Sequence, residues 1–305
     1  MAGRKSINKK IVYLIVILVI AICSAFGIGN SDKFFSDEPF KETEPTAPQS
    51  SFQVHYIDVG QGDCSLVVCD GETLLIDAGE NGHETEVINY LHLLGIERLD
   101  YIIATHQHSD HIGGLPEVIE EFGTDNIIMP RLTKEQTPTN STYKAFLEAI
   151  KNSDAKVIAS KVGASYTLGS AVFDIYGPVT DDAEDINSMS VVTKVTYGEN
   201  TFLFTGDAEF DEEDEVVATG ADLDCDVYKA GHHGSYTSSG NELLNAVTPE
   251  ICIISCGADN DYGHPHDKAL KRIKKHTDKI YRTDICGSII IESDGKNLDI
   301  SYENQ

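Results

Sequence analysis

The stretch "THQHSDHIGG" at residues 105–114 places three histidines and an aspartate within six positions, directly after the apolar, strand-like run "LDYIIA". Side chains two positions apart in extended backbone point the same way, so His106 and His108 can converge on one cation. Asp110 and His111 lie where the turn becomes a helix and can hold a second cation. Imidazole and carboxylate ligands suit Zn²⁺, with Mn²⁺ as the alternative. The stretch therefore predicts a metal site at a strand end.

Three further side chains follow later strand-like runs. Asp207 comes directly after "TFLFTG", where it can bridge two cations or cap the next helix. His232 and His233 follow "CDVYKAG"; adjacent side chains usually face opposite ways, so we expect one to bind metal and the other to orient substrate or a ligand. Two cations about 3.5–4 Å apart can hold an activated hydroxide. The set predicts metal-assisted hydrolysis, with Asp110 as both ligand and proton acceptor.

Other polar residues are predicted to contact substrate or to support the imidazoles. The residues predicted to contact substrate are Asn187, Ser190, Ser235 and His264. His264, in "DYGHPHDKAL", is also a candidate proton donor to the leaving group. Asp58 and Asp77, at the ends of the first strand-like runs, are predicted to accept hydrogen bonds from ligand imidazoles, with turn formation as the competing role.

Alternating strand-like and helical runs must position these side chains. Short β-prone runs separated by Gly or Asp open the domain, and "ETEVINYLHLLG" has helical spacing with Val87, Leu91 and Leu94 on one face. The second part of the chain repeats the alternation, with "SIIIESDG" as its final strand. Two strand-rich halves with flanking helices predict two sheets packed face to face, with the helices outside.

The N-terminus has the pattern of an export signal. Basic residues, including Lys9 and Lys10, precede an uncharged apolar run at residues 11–29. This order predicts a signal anchor or a cleaved signal peptide at residues 1–30, with the rest of the chain outside the cell. A Pro/Ser/Thr/Glu-rich linker at residues 31–51 and one hydrolase domain at residues 52–305 follow. The expected location is the cell membrane, with an extracellular catalytic domain, or the medium.

The net charge of the chain restricts the kinds of partner that it can bind. The 305 residues include 50 acidic and 23 basic ones, a formal net charge of −27. Such a surface repels nucleic acid at long range and argues against diffuse DNA binding. The stretch at residues 268–282 is basic, in contrast to the acidic chain as a whole. It is either a solvated helix face or a binding surface for a phosphate-rich substrate. No obligate protein partner is expected.

The order of "THQHSDHIGG", "TGD" and "HHGS" resembles the metallo-β-lactamase superfamily. The runs "VHYIDVGQGDCSLV", "LLIDAG", "NSMSVV" and "SCGADNDYGHPH" resemble, more specifically, the hydrolase domain of ComEC-type DNA-uptake competence proteins. The resemblance covers residues 52–301. It implies an α/β (α+β) fold, a four-layer αββα sandwich preceded here by one N-terminal apolar helix, with two divalent metal ions at one edge. The ligands that it implies are His106, His108, Asp110, His111, Asp207 and one or both of His232 and His233.

The chain departs from these proteins in two respects. No histidine lies between His111 and Asp207, where lactam-hydrolysing members carry another ligand. One metal would then be less saturated by protein, which leaves room for water or a phosphate oxygen and favours a phosphoryl substrate. The chain also has one apolar segment in place of a many-helix channel domain, so it cannot form a DNA channel alone.

These features combine into one functional prediction. We expect an exported, dinuclear metal-dependent hydrolase that cleaves phosphodiesters, in nucleic acid or in a cell-wall polymer, through a metal-bound hydroxide. One alternative is a lactam or thioester hydrolase, by analogy of fold alone. The other is a non-catalytic binding module on the same fold, against which the intact ligand set argues.

Overall fold

The computed structural model describes residues 52–181 and 183–304 of the chain. The predicted signal segment at residues 1–30 and the predicted linker at residues 31–51 lie outside these ranges. Among the helices of the described ranges, none is long and apolar enough to cross a lipid bilayer.

Short strands make up the two sheets of the described fold. In chain order they are β1 (Phe52–Tyr56), β2 (Ser65–Cys69), β3 (Glu72–Ile76), β4 (Leu99–Ile103), β5 (Thr124–Met129), β6 (Lys156–Ala159), β7 (Ser165–Leu168), β8 (Ala171–Ile175), β9 (Thr193–Tyr197), β10 (Asn200–Phe204), β11 (Val227–Lys229), β12 (Ile251–Ile254), β13 (Ile280–Arg282), β14 (Ile289–Ser293) and β15 (Leu298–Tyr302).

Helices connect many of these strands. In the described ranges they are α1 (Glu84–Leu93), α2 (Ser109–Ile112), α3 (Leu115–Phe122), α4 (Ser141–Asn152), α5 (Phe210–Ala218), α6 (Asn241–Val247), α7 (Asp267–Ile273) and α8 (Thr283–Cys286), with 3₁₀ turns at Asn187–Met189 and Gly231–Gly234. The periodicity predicts α1 correctly: Val87 and Leu91 are buried. Leu94, expected on the same face, is 36% exposed because it lies beyond the last helical residue.

Within the described residues, the first sheet has the strand order β15-β14-β1-β2-β3-β4-β5-β6, and the second has the order β13-β12-β11-β10-β9-β8-β7. In the first sheet β3, β4, β5 and β6 run parallel. In the second sheet β10, β11, β12 and β13 run parallel. Because parallel neighbours end at the same edge, the residues that follow them meet there, which is where open α/β sheets bind ligands.

Three apolar clusters separate four layers. The cluster between the two sheets includes Phe202. On the outer face of the first sheet, Leu91 of α1 and Phe146 of α4 belong to a second cluster. On the outer face of the second sheet, Leu244 of α6 and Ile273 of α7 belong to a third. Each large apolar side chain buried in this way contributes about 1.5–3 kcal/mol. The predicted αββα arrangement is confirmed.

The C-terminal strands depart from the predicted order. The sequence predicts "SIIIESDG" as the last strand of the second strand-rich half. Instead β14 pairs antiparallel with β1, and β15 follows it as the edge of the first sheet. The residues of β15 are half-buried or exposed in alternation, so they carry little of the apolar pattern that marks a strand. The first sheet thus combines the first and the last strands of the described chain.

Candidate metal centre

Asp207, just beyond β10, lies among the imidazoles of the predicted site. Its Oδ1 lies 3.2 Å from His111 Nε2. Its Oδ2 lies 3.5 Å from His233 Nε2, 3.7 Å from His232 Nε2 and 4.0 Å from His106 Nε2. One buried carboxylate therefore faces, with both of its oxygens, imidazoles from two segments, the histidine-rich turn and the turn at Gly231–Gly234.

The ligand-type atoms of the site form two groups. One atom from each of four residues lies within 4.8 Å of the others, and the set could hold a metal ion: Asp110, His111, Asp207 and His233. Asp110 Oδ2 lies 3.2 Å from His233 Nε2. His106 and His108 converge as their spacing predicts, with His106 Nε2 3.0 Å from His108 Nδ1.

Asp77 and Thr105 fix the ring of His111. Asp77 follows β3, and its Oδ2 accepts a hydrogen bond from His111 Nδ1 at 2.8 Å. Thr105 donates from its backbone N and from its Oγ1 to the same carboxylate, at 2.8 and 2.6 Å. Because Nδ1 is the donor, neutral His111 presents an unprotonated Nε2 towards Asp207. Asp77 thus lies where a supporting residue is required.

His233 is held by groups that the sequence analysis does not identify. Its Nδ1 donates to the Ser255 carbonyl at 3.1 Å, and Asp63 Oδ1 lies at 3.1 Å from the same nitrogen. The other oxygen of Asp63 accepts from buried Lys229. Burial would raise the pKa of Asp63, but Lys229 and then His233 lower it to about 2. The sequence signal for Asp63 is its place in the glycine-rich turn "GQGD", which ordinary surface turns share.

Two hydroxyl groups fix His106. Thr105 Oγ1 lies 3.2 Å from His106 Nδ1 and accepts there, because its own proton is donated to Asp77. Ser190 Oγ lies 3.4 Å from the same nitrogen and accepts from the Asp207 backbone N–H at 3.0 Å. Ser190 is fully buried, which corrects its predicted contact with substrate. Its hydroxyl instead ties His106 to Asp207.

Glu209, also missed from the sequence, orients His232. Its Oε1 lies 3.2 Å from His232 Nδ1 and accepts from Thr237 Oγ1 at 2.9 Å and from Asn187 Nδ2 at 3.5 Å. The bond with His232 is the largest of the effects that hold the pKa of Glu209 below its ordinary value. His232 and His233 both have positive φ, 49° and 54°. This conformation, uncommon for non-glycine residues, turns both rings towards Asp207, so the expectation of opposite faces is wrong.

The residues at the centre fit a bound cation. His111 Nε2 and Asp207 Oδ1 are buried and have no hydrogen-bond partner among the described residues, which costs about 1–3 kcal/mol each. Burial would raise the pKa of Asp207, but His111 and His233 hold it well below its ordinary value. Burial would lower the pKa of His111, yet Asp207 and Asp77 raise it well above its ordinary value. A field that favours an imidazolium also favours a divalent cation.

The centre opens into a cavity of about 300 Å³, which His264, Asn187 and Tyr262 also line. Gln61 Oε1 accepts from the Gly257 N–H, so its Nε2 is the atom that donates to His264 Nδ1, at 3.4 Å. Neutral His264 therefore carries its proton on Nε2. Burial, and then the neighbouring imidazoles, lower the pKa of His264 to about 4, so the ring is neutral at pH 7.

Two predicted site residues lie outside this arrangement. Ser235 Oγ pairs with Thr237 Oγ1 at 3.0 Å within its own turn, and Ser235 does not belong to the described residues that line the cavity. Asp58 Oδ1 accepts from the Gly60 N–H at 3.0 Å, the ordinary role of an aspartate in a turn. Both predictions are corrected for the same physical reason, since each polar side chain closes its own turn.

The family model of the metallo-beta-lactamase superfamily matches residues 57–258, a range that contains every candidate metal ligand. The chain belongs to the metallo-beta-lactamase superfamily. Proteins of this superfamily are typically metal-dependent hydrolases, and the fold implies divalent metal ions. The candidate ligands described above follow the ends of β4, β10 and β11, at one edge of the two sheets.

Curated relatives in the superfamily match most of this chain but only part of their own length. ComE operon protein 3 of Bacillus subtilis (strain 168) is 30% identical, over 79% of this chain and 33% of the relative. Competence protein ComA of Neisseria gonorrhoeae is 30% identical, over 90% of this chain and 38% of the relative. The chain thus spans about a third of the length of these relatives. The predicted resemblance to competence proteins is confirmed.

A shorter match and one solved structure complete the comparison. Exodeoxyribonuclease YycJ of Bacillus anthracis is 33% identical, over 40% of this chain and 43% of the relative. The structure of CmlA, a diiron β-hydroxylase from Streptomyces venezuelae, superposes with a TM-score of 0.54 at 16% identity, over 82% of this chain and 55% of that one. At this identity the likeness concerns the metallo-beta-lactamase architecture alone.

Proposed function

We propose that this chain is a dinuclear metal-dependent phosphodiesterase. The observation that carries the proposal is the position of Asp207, both of whose oxygens face imidazoles. The residues that would hold the two ions are His106, His108, Asp110, His111, Asp207, His232 and His233. Zinc is the favoured metal and manganese the alternative. When bound, the two ions would supply a water molecule of lowered pKa and a Lewis acid for a phosphoryl oxygen.

Asp110 and His264 would handle protons around the substrate. Burial would raise the pKa of Asp110, but His111 and the hydrogen bond from His233 keep it well below its ordinary value. Asp110 is therefore ionised at neutral pH, as a metal ligand must be, and it is also the proposed acceptor of the proton from the attacking water. His264 would donate its Nε2 proton in a hydrogen bond to a phosphoryl or leaving-group oxygen. Asn187, on the same cavity wall, would orient the substrate.

The cavity favours a phosphodiester over a lactam. No histidine lies between His111 and Asp207. Residues 187–190 instead supply Asn187 to the cavity wall and Ser190 behind His106. A centre with fewer protein ligands leaves room for phosphoryl oxygens. The name of the exodeoxyribonuclease relative supports a phosphodiester substrate, which would be nucleic acid or a cell-wall polymer.

Export of the catalytic domain is part of the same proposal. It rests on the basic flank and the uncharged run at residues 11–29. The catalytic domain would then act at the outer surface of the cell membrane, or in the medium after its release from the membrane. Protease added to intact cells should remove an anchored domain, and antibody against the domain should find a released one in the medium. A domain found only inside lysed cells would contradict export.

Hydrolysis of bis-p-nitrophenyl phosphate by the purified chain tests the activity. We expect turnover that a chelator abolishes and that added Zn²⁺ or Mn²⁺ restores. Asp207→Ala should lose both metal and activity, whereas His264→Gln should keep its metal and lose roughly 10²-fold in kcat/KM. Turnover of a chromogenic lactam or a thioester, without turnover of the phosphodiester, would contradict the proposal. Metal binding without turnover of any substrate would identify a binding module.

The basic stretch offers a way to separate the two polymers. Arg272 donates to the carbonyls of Ser239 and Ser238, so it serves the fold. Lys268 Nζ lies 5.5 Å from the ring centre of Tyr236, and that ring contacts His266. If nucleic acid is the substrate, Lys268→Glu should lower activity on DNA while activity on bis-p-nitrophenyl phosphate stays unchanged. Equal activity on DNA in both proteins would favour the cell-wall polymer.

A further inference from the structure

A second cavity, of about 400 Å³, opens beside α5 and has an acidic wall. Its carboxylate-bearing residues are Glu184, Asp185, Glu209, Asp211, Glu212 and Glu215. None of the described residues that line it is basic. Carboxylates at a surface are ordinarily solvated, so this acidic wall alone does not define a binding site.

Glu212 is the observation that points to a ligand. Its side chain is 2% exposed, it borders the cavity, and neither Oε1 nor Oε2 has a hydrogen-bond partner among the described residues. The backbone N–H of Ser190 lowers the pKa of Glu212, although this N–H donates its own hydrogen bond to the Asn187 carbonyl at 3.0 Å. A buried carboxylate without a partner is strongly unfavourable unless a cation or a proton neutralises it.

Glu213, the next residue, shows how the chain satisfies a buried glutamate. Its two oxygens accept from the backbone N–H groups of Ser239 and Gly240 at 2.6 and 2.7 Å. Burial raises the pKa of Glu213 to about 7, against these bonds. For Glu212, burial and the charge of Glu213 raise the pKa well above its ordinary value. Two backbone N–H groups from the segment before α6 therefore compensate Glu213, whereas Glu212 has no hydrogen-bond partner among the described residues.

We propose that this cavity binds one hard divalent cation of the calcium class, with Glu212 as its buried ligand, Glu215 as a further ligand and water molecules in the remaining positions. Glu215 lies one helical turn from Glu212 and also has a buried oxygen, Oε2, without a partner. The candidate ligands are all oxygens, a set that selects calcium or magnesium over zinc. Calcium tolerates irregular geometry and water ligands, which suits a site with few protein ligands. The proposal does not rest on the hydrolytic function.

The acidic cavity and the imidazole centre share one residue. Glu209 borders the acidic cavity, and its Oε1 lies 3.2 Å from His232 Nδ1. A cation in the cavity would attract the same carboxylate that orients His232. Calcium is therefore expected to change the affinity of the imidazole centre for its own metal, although the two sites share no ligand.

Calcium binding to the purified full chain tests the site. With the imidazole centre first saturated with Zn²⁺, calorimetric titration should find one Ca²⁺ per chain, and Ca²⁺ should raise Tm by a few degrees. Glu212→Gln should lose both effects. Glu117→Gln, which changes an exposed glutamate of α3 in the same way, should keep both.

A second set of variants separates this site from the imidazole centre. Asp207→Ala should lose zinc but keep calcium, so a failure of hydrolysis leaves the calcium result unaffected. If Glu212→Gln does not fold, Glu215→Gln should weaken calcium binding several-fold. Calcium affinity that is unchanged in both glutamine variants overturns the proposal. So does the absence of any calcium-dependent rise in Tm of the native chain, which would identify Glu212 as a protonated carboxylic acid.

Discussion

Asp77 sets the direction of the His111 ring, which makes it the most sharply testable residue behind the metal centre. The carboxylate accepts from His111 Nδ1 while Thr105 donates to it twice. Asp77→Asn keeps the size of the side chain but removes the charge that polarises the ring. We expect metal affinity to fall by roughly 10–100-fold, measured by competition with a chromogenic chelator.

Asp58→Asn is the matched control for this variant. Asp58 makes a turn bond to the Gly60 N–H, so its substitution should leave metal affinity unchanged. Equal losses of affinity in the two variants would show that a general loss of acidic charge, and not the bond to His111, weakens metal binding.

The two aspartates also show a limit of sequence reasoning at this scale. Asp58 lies in "IDVG" and Asp77 in "IDAG", so the local patterns are nearly the same. They differ in the neighbour of the preceding strand: β3 runs parallel to β4, whose end carries the histidines, whereas β1 pairs antiparallel with β2 and β14. Strand neighbours are non-local contacts, so spacing along the chain cannot separate the two residues.

At the scale of elements, close backbone contact fixes the histidine-rich turn onto the loop after β3. The Ala78 N–H donates to the His111 carbonyl at 2.8 Å, and the Gly114 N–H donates to the Gly79 carbonyl at 3.2 Å. A Cβ at Gly113 would overlap the backbone nitrogen of Asn81. Glycine at this position therefore makes room for the loop after β3.

Gly113→Ala should therefore weaken both the fold and the metal centre. We expect a loss of stability larger than that of the Gly95→Ala control, up to about 3 kcal/mol, since rigid backbone stands where the methyl group would lie. Chemical unfolding measures the loss, and a chelator competition measures metal affinity. Gly95→Ala is the control: its Cβ would meet nothing within 4 Å, so its cost is conformational, about 1 kcal/mol, and metal affinity should not change. A Gly113→Ala protein as stable as Gly95→Ala would contradict this reading.

Buried elements are predictable from this sequence, and edge elements are not. The interior strands β4 and β10 are apolar and β-prone, and helix α1 has helical spacing, so the sequence predicts all three. The edge strands β6, β7 and β15 have at most one buried residue each and lack that pattern. Their conformation depends on hydrogen bonds to a neighbouring strand, which no local window contains.

For the whole molecule, the charge around the metal centre predicts how stability depends on pH. Burial would lower the pKa of His233, but Asp207 and Asp63 raise it to about 10, above the ordinary value of 6.5. A raised pKa means that protonation stabilises the folded, metal-free chain below pH 6.5, and that this contribution is lost as pH rises towards 10. We expect Tm of the chelator-treated chain to fall across that window.

A bound metal ion would take the place of the proton on His233. The metal-loaded chain should therefore lack the decline in Tm, and metal affinity should increase with pH over the same range. His233→Gln, measured without metal, should show a flatter Tm profile than the native chain. Identical profiles for these two proteins would show that His233 is not the group responsible.

The ligand-type residues can be identified from the sequence alone, whereas the residues that orient them are brought into place only by the folded molecule. The histidines and Asp207 are recognisable because such side chains are dense and follow strands. Asp63, Glu209 and Lys229 are ordinary polar residues in sequence, and they act on the imidazoles only because the two sheets bring their strand ends together. The types of ligand in the site can therefore be predicted from local sequence, whereas the charges that act on those ligands depend on the sheet topology.

The pairing of β1 with β14 has a consequence for biosynthesis. As the chain leaves the ribosome, β1 must wait for one of its two partners until more than two hundred further residues have been translated. Until then a hydrogen-bonding edge next to the nascent apolar core stays open to wrong pairing. A factor that shields this edge during translation would improve the yield of folded protein more than one that acts after release.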